Sequence, residues 1–168
     1  MVETMAPQPE LDMFSQFSLF EDDPAFDLEN FIPLKIAQMG RLIESQMSAH
    51  LQEKHDLTIP DWLVLNTLTR SEGVSVRDLC ANLELDTVAV SRAAKRLSQM
   101  GMIDKATNPK DRRLVVLVTT SQGRTLNHQV EHSLGQFESK LSSSWSQLEW
   151  VKLDQLLARS KMFSAKRS

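Results

Sequence analysis

Between Asp86 and Gly101 three bases stand close together, Arg92, Lys95 and Arg96, with Thr87, Ser91 and Gln99 beside them and no acid after Asp86. Guanidinium, ammonium and hydroxyl groups on one helix form a donor set that phosphate oxygens and base edges accept. Arg92 suits two partners, a guanine edge held by two parallel bonds or a phosphate. A solvated helix face carries the same residue types, so this stretch alone leaves both readings open. A second basic cluster tilts the balance. From Lys105 to Arg113 the chain has Lys105, Lys110, Arg112 and Arg113 against Asp111. This cluster lies between two short apolar stretches, so it is read as the tip of a β-hairpin. An Arg near such a tip enters a minor groove, where narrow A·T tracts deepen the negative potential. Asp111 is assigned to holding Arg113 or shaping the turn.

These groups need elements to position them. Residues 31–55 read as a helix, with Ile32, Ile36, Met39, Ile43, Met47 and Leu51 at steps of three and four. After the loop Asp56-Leu57-Thr58, residues 60–70 form a second helix, capped by Thr58 or Asp61, with Trp62, Leu65 and Leu68 on one face. Ser71-Glu72-Gly73 is a break. Ser75 precedes a short helix from Val76 to Asn82, and Asp86 caps another that runs to about Met100, with Gly101 as its terminating glycine. On that helix Val90, Ala94 and Leu97 read as the core face. The small Ala89 and Ala93 leave it slim enough for a major groove about 12 Å wide. Met102–Ala106 and Leu114–Val118 read as two strands around a turn at Asn108–Asp111. Thr120 caps a long helix to about residue 142, Ser142-Ser143-Ser144 turns, and Trp145 to Leu157 supply a last helix. The fold class expected is mainly α with a small β-hairpin wing: a winged helix-turn-helix lobe plus a helical dimerisation region. The outer helices carry more apolar surface than one small lobe uses, which points to a second copy of the chain.

The charge is divided along the chain. The 168 residues have a net charge of -3, with 22 acids and 19 Lys or Arg. Eight of the acids fall in residues 1–29, which contain no Lys or Arg, leaving 14 acids against 19 bases in residues 30–168. The first 29 residues are thus expected to be an acidic arm, broken by Pro7, Pro9 and Pro24. It would compete with nucleic acid for the basic face or dock through Phe14, Phe17 and Phe20. The other boundaries expected are 30–58 for a dimerisation helix, 59–119 for the DNA-binding lobe and 120–168 for further dimerisation helices. A single cysteine excludes an internal disulfide. No apolar run approaches the roughly 18 residues of a membrane span, and no export signal opens the chain. A cytoplasmic protein without membrane contact is expected.

The wing and the start of the helix after it, Asp111-Arg112-Arg113-Leu114-Val115-Val116-Leu117-Val118-Thr119-Thr120-Ser121-Gln122-Gly123, resemble the multiple-antibiotic-resistance regulator (MarR) family. That family carries Asp-x-Arg in the wing and Leu-Thr-x-x-Gly at the start of a long helix; here Val118-Thr119 stands for the Leu-Thr. Val90-Ser91-Arg92, Leu97 and Gly101-Met102-Ile103 match as well, and the likeness covers roughly residues 31–160. It implies a homodimer that binds palindromic double-stranded DNA, most often as a repressor released by a small ligand. Asp27–Pro33, Leu57–Trp62 and Asp86–Arg92 further resemble the branch that controls aromatic-acid catabolism, whose effectors are aromatic acids or their coenzyme A thioesters. Leu63 and Thr87 depart from it, standing where that branch often has Arg and Lys.

The DNA contacts expected are therefore Thr87, Ser91, Arg92, Lys95, Arg96, Lys110, Arg112 and Arg113. Arg41, His50 and Trp62 are the ligand contacts expected, Arg41 as the cation for an anionic ligand. Cys80 reads as a buried structural thiol rather than a redox switch. His128 and His132 share a helix face at i, i+4, but Glu131 lies between them and not on that face. A solvated surface is preferred there to a metal site. No cofactor is expected, and no residue arrangement exposes a catalytic nucleophile. The alternative to a ligand-controlled repressor is a winged-helix activator, architectural or protein-interaction module.

Overall fold

The computed structural model describes residues 27–71, 73–107 and 115–164, with side chains as far as residue 159. The expected arm up to residue 26, the turn at Asn108–Asp111, and the wing bases Lys110, Arg112 and Arg113 with Asp111 lie outside the described residues. Residues up to Arg41 form one unit and those from Leu42 another.

The elements run in the order α1 (Ile32–His55), α2 (Ile59–Thr69), α3 (Val76–Leu83), α4 (Thr87–Gln99), β1 (Ile103–Thr107), β2 (Val115–Thr119), α5 (Ser121–Ser142) and α6 (Gln147–Ser164). Their starts are written in side-chain caps. Thr58 and Asp61 form a reciprocal capping box: the Asp61 N–H donates to Thr58 Oγ1 at 3.3 Å, and the Thr58 N–H donates to Asp61 Oδ2 at 2.9 Å. The Asp78 N–H donates to Ser75 Oγ at 3.2 Å and the Ala89 N–H to Asp86 Oδ1 at 2.7 Å, opening α3 and α4. At the end of α4 the Gly101 N–H reaches Ser98 O at 3.0 Å and the Met102 N–H reaches Leu97 O at 2.9 Å, with Gly101 at φ +73°. This is a Schellman termination, which satisfies the last carbonyls and turns the chain into β1.

β1 and β2 pair antiparallel from Ile103↔Thr119 to Thr107↔Val115. Val74, which the sequence pattern assigns to no element, adds a bridge to Leu117, with bonds of 3.0 and 2.9 Å in the two directions. The hairpin is thereby tied to the segment before α3. Leu51, Leu57, Leu65, Leu68, Leu79, Val90, Leu97, Ile103, Leu117 and Val130 converge from α1 to α5 and both strands into one core.

The apolar stripe of α1 is mostly uncovered, in line with the surplus of apolar surface expected on the outer helices: Leu51 is buried, but Ile32, Ile36 and Met39 are exposed. Two expectations need correction. On α2 Trp62 is only half-buried, and Val64 joins Leu65 and Leu68 in the core. On α4 the buried residues are Val90, Ala93 and Leu97, while Ala94 is half-buried on the flank. Ala93 does not slim the outward face; it is 2% exposed, and its small side chain sits in the core between α4 and its neighbours.

His55 ends α1 against α5, where its Nε2 lies 2.7 Å from Ser133 Oγ. Partial burial, then the nearby His50 and Lys54, hold its pKa below the ordinary value of 6.5. The unfolded chain therefore takes up this proton at a higher pH than the folded one does. The neutral ring's contribution to stability is complete above 6.5 and is lost as pH falls through the folded value. Thermal melts recorded from about pH 7.5 down to about pH 5 should show a falling midpoint. His55→Gln should flatten that slope, and an unchanged slope in the variant would remove His55 as its source.

Candidate nucleic-acid interface

α4 presents two opposite faces. Val90, Ala93 and Leu97 fix one against the core, and the helical period turns Ser91, Arg92, Lys95 and Gln99 outward. All four are exposed, and among the described residues none of them has a side-chain hydrogen bond or ion pair. Their donors are thus available at no cost in broken internal contacts. The stripe begins at the amino end of α4, where unpaired backbone N–H groups add partial positive charge that the Asp86 cap partly offsets.

Arg96, expected on this face, is turned to another use. Its guanidinium lies 2.9 Å from Asp56 Oδ1 and 3.6 Å from Asp61 Oδ2, and it also donates to the Asp56 carbonyl. Asp61 is 2% exposed, so Arg96 supplies the cation that a buried carboxylate needs. Asp56 itself sits at φ +54°, in the left-handed position that ends α1. The arginine thus fastens α4 to the end of α1 and the start of α2. The sequence pattern places Asp56 in a loop and does not reveal this clamp. The detectable signal is Asp61 at the third helical position after a Thr cap, since a carboxylate spent on a capping box is held close to the helix start.

Thr87 is exposed, and its Oγ1 lies 3.8 Å from Cys80 Sγ, a weak thiol-to-hydroxyl bond that joins α3 to the first turn of α4. Cys80 is half-buried rather than buried, packed on the edge of the core. The turn between α3 and α4 passes through Glu84 at φ +53°, a conformation that costs a side-chain-bearing residue about 1 kcal/mol.

The wing's described part carries one of the expected bases. Lys105 is exposed on β1 and pairs through its backbone with Leu117.

Of the expected ligand contacts, Arg41 is exposed on α1 in the first unit. His50 and Trp62 belong to the second. The His50 ring lies 5.6 Å from Phe137, centroid to centroid. His50 Nε2 and Trp62 Nε1 are both buried without a hydrogen-bond partner. Such atoms forgo bonds to water and gain none from the protein. On α5, Glu131 does reach His128, at 3.5 Å, and pairs with Arg70, the residue that follows α2, at 3.1 Å; His132 meets Gln136 at 3.1 Å. Among the described residues no group of three His, Cys, Asp or Glu side chains is placed to hold a metal ion, and no helix is long and apolar enough to cross a membrane.

Comparison with known proteins agrees with this architecture. A model of the MarR family matches residues 55–114. The chain is similar to the HTH-type transcriptional regulator MgrA of Staphylococcus aureus, with 30% identity over 119 residues that span 71% of this chain and 80% of MgrA. Its fold is similar to that of wild-type MarR from E. coli in its apo form, at a TM-score of 0.66 and 22% identity over 76% of this chain and 95% of MarR. It is also similar to that of Bordetella bronchiseptica BpsR, at a TM-score of 0.72 and 18% identity over 82% of this chain and 98% of BpsR. DNA binding by BpsR is regulated by 6-hydroxynicotinic acid.

Proposed function

The chain belongs to the MarR family of DNA-binding winged-helix transcriptional regulators, and from that premise we propose that it acts as a dimeric repressor released from palindromic DNA by a small aromatic acid or its coenzyme A thioester. The observation that carries the DNA reading is the outward stripe of α4, whose polar groups are exposed and unspent while its opposite face is buried.

In this reading α4 lies in the major groove. Arg92 reads a guanine edge, Lys95 meets phosphate, and Thr87 and Ser91 bond phosphate or base edges. Lys110, Arg112 and Arg113 extend the contact into the adjacent minor groove. Arg96 holds α4 at its angle through Asp56 and Asp61. The second copy is supported by exposed apolar side chains, Ile32, Ile36 and Leu42 on α1 and Leu148, Val151 and Leu156 on α6, all more than 40% exposed. Two-fold symmetry then requires half-sites with centres about 10 base pairs apart, or roughly 34–36 Å along the duplex.

Control by an aromatic acid is supported by BpsR and by the buried, unpartnered nitrogens of His50 and Trp62, which an acid or carbonyl oxygen would satisfy. Release occurs if the ligand favours a dimer geometry whose two α4 helices no longer match the half-site spacing. Linkage makes the effect reciprocal, so DNA must weaken ligand binding by the same factor.

Light scattering at micromolar protein should give twice the chain mass of 19.1 kDa. Duplexes selected from a random pool by the full-length protein should be palindromic. Titration of an aromatic acid such as 6-hydroxynicotinic acid, and of hydroxycinnamoyl thioesters, into free and DNA-bound protein should give weaker binding to the complex. Equal affinities for the free and the DNA-bound protein would reject release by this route and leave an activator or architectural role.

A further inference from the structure

We infer that Val88 is a base-reading residue of α4, recognising the C5-methyl group of a thymine in each half-site; the inference rests on α4 entering the major groove.

Val88, Ser91, Arg92 and Lys95 stand at i, i+3, i+4 and i+7, so they share one stripe of the helix. Val88 heads that stripe and is 57% exposed. Among the described residues 59–119, the exposed large hydrophobics are Val88 and Val115, and Val115 is on the wing strand β2. The core takes nothing from Val88, since Val90, Ala93 and Leu97 fill the opposite face. The helix takes nothing from it either, because a β-branched side chain in an exposed turn favours helix less than Ala, Lys or Glu. What Val88 offers is a compact, stiff hydrocarbon surface between donors. Thr87 precedes it, and Ser91 and Arg92 lie one turn later.

The major-groove edge of duplex DNA has one apolar feature of this size, the thymine methyl, and an apolar side chain beside it is the matching contact. Flanking cations seat the helix by phosphate attraction without distinguishing bases, whereas a methyl contact distinguishes T from C at that step. Val88 has one preferred side-chain rotamer in a helix, so the contact needs little ordering.

The test uses a duplex selected from a random pool by the full-length protein, with each half-site thymine replaced in turn by deoxyuridine. This removes the C5-methyl and nothing else. Burying one methyl contributes about fourfold in affinity, so uracil at the contacted position in both half-sites should weaken wild-type binding about fifteenfold. Val88→Ala should weaken binding to the thymine duplex by a similar factor and bind the uracil and thymine duplexes equally. Far-UV circular dichroism should stay unchanged, because the position is exposed and helical. Uracil penalties that persist in Val88→Ala, or that are absent in the wild type, would overturn the role of Val88 alone. Failure of the wild type to enrich any sequence would overturn α4 as the reading helix, and this inference with it.

Discussion

Replacing Arg92 by alanine is expected to remove most of the sequence preference while leaving the fold intact. Arg92 is exposed and, among the described residues, bonds to nothing, so its removal opens no cavity and strands no partner. The loss falls on the complex instead. A bidentate Arg–guanine contact supplies about 1–3 kcal/mol of discrimination, and a two-fold complex contains it twice, for about 2–6 kcal/mol in all. Anisotropy titrations at fixed salt should show the selected duplex falling towards the affinity of a scrambled one. A loss equal on all sequences, with a shallower dependence on salt, would move Arg92 from base reading to phosphate contact. Arg96→Ala should behave differently. It leaves the buried Asp61 carboxylate without its cation, so the melting midpoint should fall together with DNA affinity. A midpoint equal to that of the wild type would refute the clamp.

Gly123→Ala should be strongly destabilising, against the usual trend for a glycine inside a helix. Gly123 is in the first turn of α5, and a Cβ there would lie 2.1 Å from the Met102 carbonyl oxygen and 2.8 Å from Thr119 Cγ2. The carbonyl cannot retreat, because it accepts the Thr120 N–H at 3.0 Å and the Thr120 hydroxyl at 3.1 Å. Thr120 also donates to Gly101 O at 2.8 Å, so the end of α4, the start of β1 and the start of α5 are joined at one point. Forcing them apart costs about 3 kcal/mol, at the upper end of overpacking, and about 10 °C in melting midpoint. Gly135, in the same helix, is the internal control. Nothing lies within 4 Å of its would-be Cβ, and Gly135→Ala should gain about 0.5–1 kcal/mol from helix propensity and chain entropy. Similar melts for the two variants would contradict this packing.

The caps make much of the fold legible in the sequence. Thr58, Asp86 and Thr120 each accept the backbone bond expected of them, Ser75 does the same before α3, and Gly101 adopts the left-handed backbone its position suggests. Such signals are local, so one sequence carries them. Harder to read is how a helix divides its faces. Val90, Ala94 and Leu97 fit the helical period as well as Val90, Ala93 and Leu97 do, and only the packing of neighbouring elements selects between them. Arg96 is hidden for a related reason. Its charge and spacing match those of Arg92, but its partners Asp56 and Asp61 lie 40 and 35 positions away in the chain. Val88 escapes a reading by pattern because an apolar residue on an amphipathic helix is first assigned inward, and only its exposure reverses that. The long apolar stripes of α1 and α6 are visible as patterns, and their surplus over what one lobe can bury points to a second copy, but the pattern does not say which of their residues meet it.

Methylation interference on the selected duplex tests most directly whether α4 lies in the major groove. Dimethyl sulfate marks guanine N7 in the major groove and adenine N3 in the minor groove, so one experiment reports both. Interference is expected at guanine N7 in two symmetric patches about 10 base pairs apart, lost in Arg92→Ala, with adenine N3 interference flanking them where the wings lie. Binding that tolerates N7 methylation throughout the half-sites would contradict the placement of α4 in the major groove.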